Sequence, residues 1–169
     1  MNLREILEKT KTGKLYGHLL SNFEKYPILI DSRGKVISFP PIINSNDIGR
    51  LTEKTRNIFI DVTGNNFDDV LLALNAIVVT LADYGGKIKS VEIVYPDRRI
   101  STPDLRIIRK EFNLKDIIKI IGFEISKEEI KKLLSKKRIN CDFSNDKVTI
   151  EYLNYRRDLN TEQDIAEEI

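Results

Sequence analysis

Two constellations in this sequence place polar side chains where chemistry is possible. The first is "NIFIDVTG", residues 57–64, which reads as a strand. Strand neighbours alternate faces, so Phe59, Asp61 and Thr63 share one side while Ile58, Ile60 and Val62 share the other. A carboxylate on a mostly apolar strand is costly unless something pairs with it or uses it. With Ser38 at the end of a nearby hairpin, Asp61 and Thr63 would set a carboxylate and two hydroxyls around one small pocket. Such a pocket can orient a water and recognise a phenolic hydroxyl by hydrogen bonding. The competing reading is that Asp61 and Thr63 cap the helix that follows them.

The second constellation is "RRDLNTEQDIAEE". Asp164, Glu167 and Glu168 fall at helical three and four spacing, and Asp158 stands just before them. Carboxylates on one face suit an oxygen-preferring cation such as Mg²⁺. Equally, acidic residues near a helix start can be no more than a solvated face stabilised by the helix dipole.

Other reactive residues carry less. His18 lies on a polar helical stretch and reads as surface or interface packing. Cys141 sits in a strand and reads as core. "DYGGK" follows a helix and reads as its stop rather than as a phosphate cradle. The chain holds no phosphate loop of the GxxxxGK type, no GxSxG elbow, no HExxH and no CxxC pair.

The elements that must position these residues follow from periodicity. The chain of 169 residues has room for one ordinary domain or two small ones, and its 41% hydrophobic content supports a packed core. Residues 2–25 read as helical with a break at "KTGK". Strands at about 28–31 and 35–39 flank "DSRG", a hairpin turn, and Pro40 and Pro41 end the second strand. A loop is expected over 44–56. After the NIFIDVTG strand, Phe67, Val70, Leu71, Leu74, Ile77, Val78 and Leu81 define an amphipathic helix, with Asn66 as N-cap and Gly85 as stop. "KIKSVEIVYP" and residues 99–102 read as strands. A composition change over 103–111 marks a boundary. Beyond it come helices at 114–121 and 126–137, strands at 139–143 and 147–152, and a helix from 160. Ser126 and Glu129 form a capping-box pattern. The fold class is therefore α/β (α+β): a mixed sheet with packed helices, then a small winged-helix-like helix–helix–hairpin module.

Charge is nearly balanced at +2, so the whole chain makes no case for nucleic acid, but the distribution is uneven. Residues 106–138 carry about eleven basic and five acidic side chains, and residues 158–169 about five acids and no bases. An RNA-facing patch followed by a cation or partner site is one reading, and two solvated helical faces is the other. There is no signal peptide and no apolar run long enough to span a membrane, and a single cysteine suits a reducing cytoplasm.

The stretches "YPILIDSRGKVISFPPIIN", "TEKTRNIFIDVTGNNF" and "RRDLNTEQDIAEE" together resemble the beta subunit of phenylalanyl-tRNA synthetases of the archaeal/eukaryotic type. The resemblance covers nearly the whole chain. It implies that residues 1–105 are part of a tRNA-editing domain and that 106–169 form the small domain that follows. That family's beta subunit is several times longer, so the resemblance implies a fragment, with the first half of the editing domain expected before Met1.

The implied activity is hydrolysis of tyrosine wrongly attached to tRNA(Phe). The implied editing residues are Ser38, Asp61 and Thr63, with Leu29 as apolar wall and Asn44 as a further substrate contact. Ligation is expected to reside on the alpha subunit. Implied partners are tRNA(Phe) and that alpha subunit, with no membrane and no DNA. Editing itself needs no cofactor. The family's Mg²⁺ positions map onto Asp158, Asp164, Glu167 and Glu168, the last of which is usually Asp. "INSND" also replaces the more usual glycine after PPIIN. The alternative is a non-catalytic module that binds tRNA or assembles with partner subunits.

Overall fold

The structure, a computed structural model, describes all 169 residues. It divides into two compact units, Met1–Thr63 and Gly64–Ile169.

In the first unit, helix α1 (Leu3–Lys9) opens with a capping box between Asn2 and Glu5. Helix α2 (Lys11–Tyr16) runs into a 3₁₀ turn, Gly17–Leu20. The break lies at Thr10, just before KTGK rather than within it. The Thr10 hydroxyl accepts from Gly13 N at 2.9 Å and donates to Ile6 O at 2.7 Å, so it closes one helix and caps the next. Three short strands form an antiparallel sheet in the order β1–β2–β3: β1 (Leu29–Ile30), β2 (Val36–Phe39) and β3 (Ile43–Asn44). Strand β3 takes in Asn44, where the loop was expected to begin. Its two residues are too few for any alternation to show. Phe39 and Ile42 are buried with Leu20, and Leu3, Ile6, Leu7 and Tyr26 pack on them.

The expected strand NIFIDVTG is not one: residues 55–64 join no ladder. Ile58 and Phe59 stay 51% and 61% exposed, so the apolar pattern that signals a strand finds no partner within this chain.

The second unit begins with α3 (Phe67–Asp83), capped by Asn66, whose side chain accepts from the N–H groups of Asp68 and Asp69. It ends at Gly85, in the left-handed region at φ 92°; Gly85 N–H bonds Ala82 O and Gly86 N–H bonds Leu81 O, the paired Schellman closure. Strands β4 (Val91–Val94) and β5 (Arg99–Thr102) form a hairpin. A second antiparallel sheet has the order β6–β8–β7, with β6 (Ile107–Asn113), β7 (Asn140–Ser144) and β8 (Lys147–Leu153). Between β6 and β7 lie α4 (Leu114–Ile121) and α5 (Lys127–Lys136), and the chain ends in α6 (Glu162–Glu168).

Every sheet is thus small and antiparallel, rather than one mixed sheet. The helix–helix–hairpin module is present, with β6 added to its edge. Strand β6 falls where a boundary was expected. Its alternation is plain in the fold: Ile108, Lys110 and Phe112 face inward between exposed Ile107, Arg109, Glu111 and Asn113. The inward lysine hid that pattern. The core is dense here, with Ile117, Ile130, Leu134, Ile139, Val148, Ile150, Leu159 and Ile165 at 1% exposure or less. Ser126 caps α5 by accepting from Glu129 N, but the reciprocal bond of a full box is not made.

Candidate functional site

Strand pairing assembles part of the first constellation. Leu29 on β1 stands opposite Ser38 on β2, and Ser38 stands opposite Asn44 on β3. Residues directly opposed in an antiparallel ladder project to the same face, so Leu29, Ser38 and Asn44 form one row across the sheet. Phe39, the next residue, projects to the other face into the core. The Ser38 hydroxyl donates to Asn44 Oδ1 at 2.9 Å. Ser38 is buried, Leu29 half-buried and Asn44 exposed. A register shift between Leu29 and Ile30 marks a bulge, the device that re-aims a strand end.

The loop after Asn44 closes tightly. Gly49 N–H bonds Ser45 O at 2.9 Å, and a Cβ at Gly49 would lie 2.7 Å from that oxygen and 3.2 Å from Asn44 Cβ. A glycine is therefore needed here, several residues beyond the position where the related pattern carries one.

Asp61 and Thr63 are exposed and make no hydrogen bond, so the structure does not tie them to Ser38. It does remove their competing role. Asn66, not Asp61 or Thr63, caps α3. Nearby protein desolvates Asp61 and raises its carboxyl above the ordinary aspartate value, although water still reaches the side chain. A carboxylate with an upward shift and no partner is the kind of group that sites collect.

The second constellation is arranged differently from the expectation. Arg156 reaches both Asp158, from Nε at 2.9 Å and Nη2 at 2.6 Å, and Glu168, from Nη2 at 2.6 Å. That guanidinium holds the Asp158 carboxyl below its usual value. Asp164 serves as the N3 residue of a capping box with Thr161, and its Oδ2 accepts the N–H groups of Asn160 and Thr161 at 2.8 Å each. Those bonds lower its pKa. Glu167 is exposed to solvent. Glu168 Oε2 is buried without a hydrogen bond, and Lys137 Nζ faces it at 3.4 Å.

Mg²⁺ needs close to six oxygens in near-octahedral array. The four carboxylates form no cluster of three, and two of them already hold cations. As arranged, they do not fit the ion.

The remaining candidates take ordinary places. His18 is exposed, and its ring makes one hydrogen bond, between Nδ1 and Leu15 O. Cys141 is in the core, where burial pushes its thiol up and keeps it inert. In the basic stretch, Arg106, Arg109, Lys115, Lys131, Lys137 and Arg138 are all ion-paired within the chain. This pairing removes much of the free positive charge that an RNA patch would use. Two clefts open on the surface, about 660 Å³ beside Phe123 and Leu133 and about 360 Å³ beside Phe23 and Pro27. Neither is lined by a candidate residue.

Sequence reasoning missed Arg156, Lys137 and Asn75. Asn75 is buried, donates to Asp104 O at 2.7 Å and accepts from Asp104 N at 3.1 Å, which fastens α3 to the β5–β6 connection. A polar residue on the apolar face of α3 was its signal. For Arg156 the signal was its place two residues before Asp158.

The module formed by β6, α4, α5, β7, β8 and α6 defines the class: residues 110–169 match the tRNA synthetase B5 domain. Over its whole length the chain is 46% identical to the phenylalanine–tRNA ligase beta subunit of Thermococcus kodakarensis, of which it covers 29%. It is 46% identical to that of Pyrococcus furiosus, of which it covers 31%. A crystal structure of an N-terminal fragment of the phenylalanyl-tRNA synthetase beta subunit from Pyrococcus horikoshii superposes with a TM-score of 0.94 at 47% identity. That match covers 99% of this chain and 48% of the other. Along its whole length the chain is thus similar to phenylalanine–tRNA ligase beta subunits, and it spans about 30% of the length of these curated relatives. No helix is long and apolar enough to cross a membrane.

Proposed function

We propose that this chain contributes the editing site of a phenylalanine–tRNA ligase, where tyrosine wrongly attached to tRNA(Phe) is hydrolysed. The observation that supports this reading best is the row Leu29–Ser38–Asn44 across one sheet face. It places an apolar wall, a buried hydroxyl and an amide side by side. Asp61 and Thr63, relieved of helix capping, are available to complete the pocket.

The reaction is attack of water on an ester carbonyl, with the terminal ribose hydroxyl of the tRNA as leaving group. No covalent nucleophile is required if the water is held against the carbonyl. In this reading Ser38, Asp61 and Thr63 recognise the phenolic hydroxyl. Phenylalanine would leave those groups unpaired in a closed pocket, and an unpaired buried polar group discriminates strongly. Residues 1–105 would then be editing domain and 106–169 the adjoining small domain. The alpha subunit and tRNA(Phe) would be the partners, in the cytoplasm. Mg²⁺ at the subunit interface would need oxygen ligands beyond those of this chain.

The test is deacylation of tyrosyl-tRNA(Phe) by an alpha–beta complex whose beta subunit carries this sequence. Slower hydrolysis by Asp61→Ala and by Thr63→Ala, with phenylalanine charging intact, supports the site. Unchanged rates for both variants would remove it.

A second reading, a non-catalytic assembly module, is favoured by the uncovered apolar side chains Ile58 and Phe59. Binding of alpha subunit or tRNA by the chain without any hydrolysis, in a complex that still edits through other residues, would select it.

A further inference from the structure

The single hydroxyl proton of Ser38 is committed inside the sheet, where it is donated to Asn44 Oδ1 at 2.9 Å. A serine hydroxyl holds one donor and two acceptor lone pairs. With its donor engaged, Ser38 offers only lone pairs to whatever enters beside it. Ser38 is 6% exposed, so water does little to change that offer. Its other neighbour in the row, Leu29, brings no polar side-chain atom.

Asn44 is held in place to receive that proton. It stands opposite Ser38 in the β2–β3 ladder, next to the Phe39–Ile43 pair. Just beyond it, Ser45 N–H donates to Ile37 O at 2.8 Å. The chain at Gly49 then packs so near that an added Cβ would lie 3.2 Å from Asn44 Cβ. Asn44 is exposed, so its NH₂ group finds water while its oxygen serves Ser38. Of the three recognition groups, Thr63 can donate or accept, an ionised Asp61 can only accept, and Ser38 is held to accepting.

We propose that Asn44 is a positioning residue that fixes Ser38 as a hydrogen-bond acceptor, and that the site consequently acts on aminoacyl-tRNA(Phe) whose ring carries a para hydrogen-bond donor. This rests on the editing reading and widens its substrate class from tyrosine to para-donor rings. A para hydroxyl or a para amino group gives its proton to Ser38 Oγ. A para fluorine, of similar size, sets lone pairs against lone pairs and leaves Ser38 unpaired, as phenylalanine does. The reaction is the same for each ring: water cleaves the ester, releasing the amino acid and the terminal ribose hydroxyl.

The experiment measures hydrolysis of tRNA(Phe) charged with tyrosine, para-aminophenylalanine, para-fluorophenylalanine or phenylalanine. The enzyme is an alpha–beta complex whose beta subunit carries this sequence. The para-amino ester is expected to react within about tenfold of the tyrosine rate, and the fluoro and unsubstituted esters on the order of a hundredfold or more slower. In Asn44→Ala the Ser38 proton is free, so Ser38 can donate as well as accept. A phenol can do both and keeps more of its rate than the ring amine. The ratio of tyrosine to para-amino rates should then rise by roughly fivefold. Asn44→Asp still accepts from Ser38 and should restore the wild-type ratio. A purely structural loss lowers both rates together and leaves the ratio alone.

A wild-type enzyme that hydrolyses the tyrosine ester but spares the para-amino ester overturns the proposal. So does one that hydrolyses the para-fluoro ester as fast as the tyrosine ester, and neither comparison needs a variant. An Asn44→Ala ratio equal to that of the wild type, or an Asn44→Asp that behaves as Asn44→Ala, also overturns it. Equal wild-type rates for the tyrosine and phenylalanine esters are a different failure: they remove the editing reading itself, and the proposal with it.

Discussion

Asn75 and Asp104 exchange two hydrogen bonds, side-chain amide to backbone, at 2.7 and 3.1 Å. Asn75 is almost fully buried, and the pair joins the middle of α3 to the segment between β5 and β6. One side chain thus satisfies a peptide N–H and a C=O that no sheet ladder reaches.

Asn75→Ala should therefore cost about 1–3 kcal/mol, since both Asp104 backbone groups lose their partner in a half-buried site. A lower urea midpoint with an unchanged slope would show it. Hydrogen exchange should speed up at residues 102–106 and in the facing turn of α3.

Ser38→Ala separates stability from function. Asn44 is exposed, so its amide finds water when the hydroxyl goes, and the loss should stay near 0.5–1.5 kcal/mol. Hydrolysis of tyrosyl-tRNA(Phe) by the assembled enzyme should fall by a larger factor than that stability loss explains. Thermal unfolding and deacylation kinetics on the same preparation check both halves.

Asp61→Asn should leave stability unchanged or slightly higher at neutral pH. The folded carboxyl lies above its unfolded value, so its ionisation opposes folding. The favourable contribution is present below the unfolded pKa of about 4 and is lost as pH rises through the folded value. The wild-type minus Asp61→Asn difference in Tm should shrink toward acid pH. Water still reaches the group, so the effect is small.

Asp164 runs with the opposite sign. Its folded pKa is depressed by the N–H groups of Asn160 and Thr161, so its stabilisation is present above the ordinary aspartate value and fades as pH falls below it. Asp164→Ala should fray α6 and lower Tm at neutral pH, and the difference from wild type should vanish in acid. Asp164→Asn keeps an acceptor and should lose less. Circular dichroism across pH 2–7 tests both variants.

Leu134→Ala removes a side chain with no solvent exposure from the densest part of the core and should cost about 2–5 kcal/mol. Denaturant unfolding of the chain measures it.

Local signals in the sequence determined most elements of the second unit. Asn66 before an apolar stripe and Gly85 after it fixed α3, because an N-cap and a left-handed stop act within one turn of the helix. Ser126 and the "SNDK" turn fixed α5 and the β7–β8 hairpin in the same way. The motifs alone also pointed to the family, and a match along the full chain bears that out. Tertiary structure decided what local signals do not encode. Strand β6 carries Lys110 inward because the Leu159 carbonyl and Asn160 receive its ammonium group from a distance of about fifty residues. NIFIDVTG has strand periodicity but no ladder, since a strand exists only when an edge is there to bind it. The acidic spacing of the last helix looked like a metal face. Which cation sits among those carboxylates depended on where the loop after β8 delivers Arg156 and where α5 leaves Lys137, and no spacing in the sequence records that.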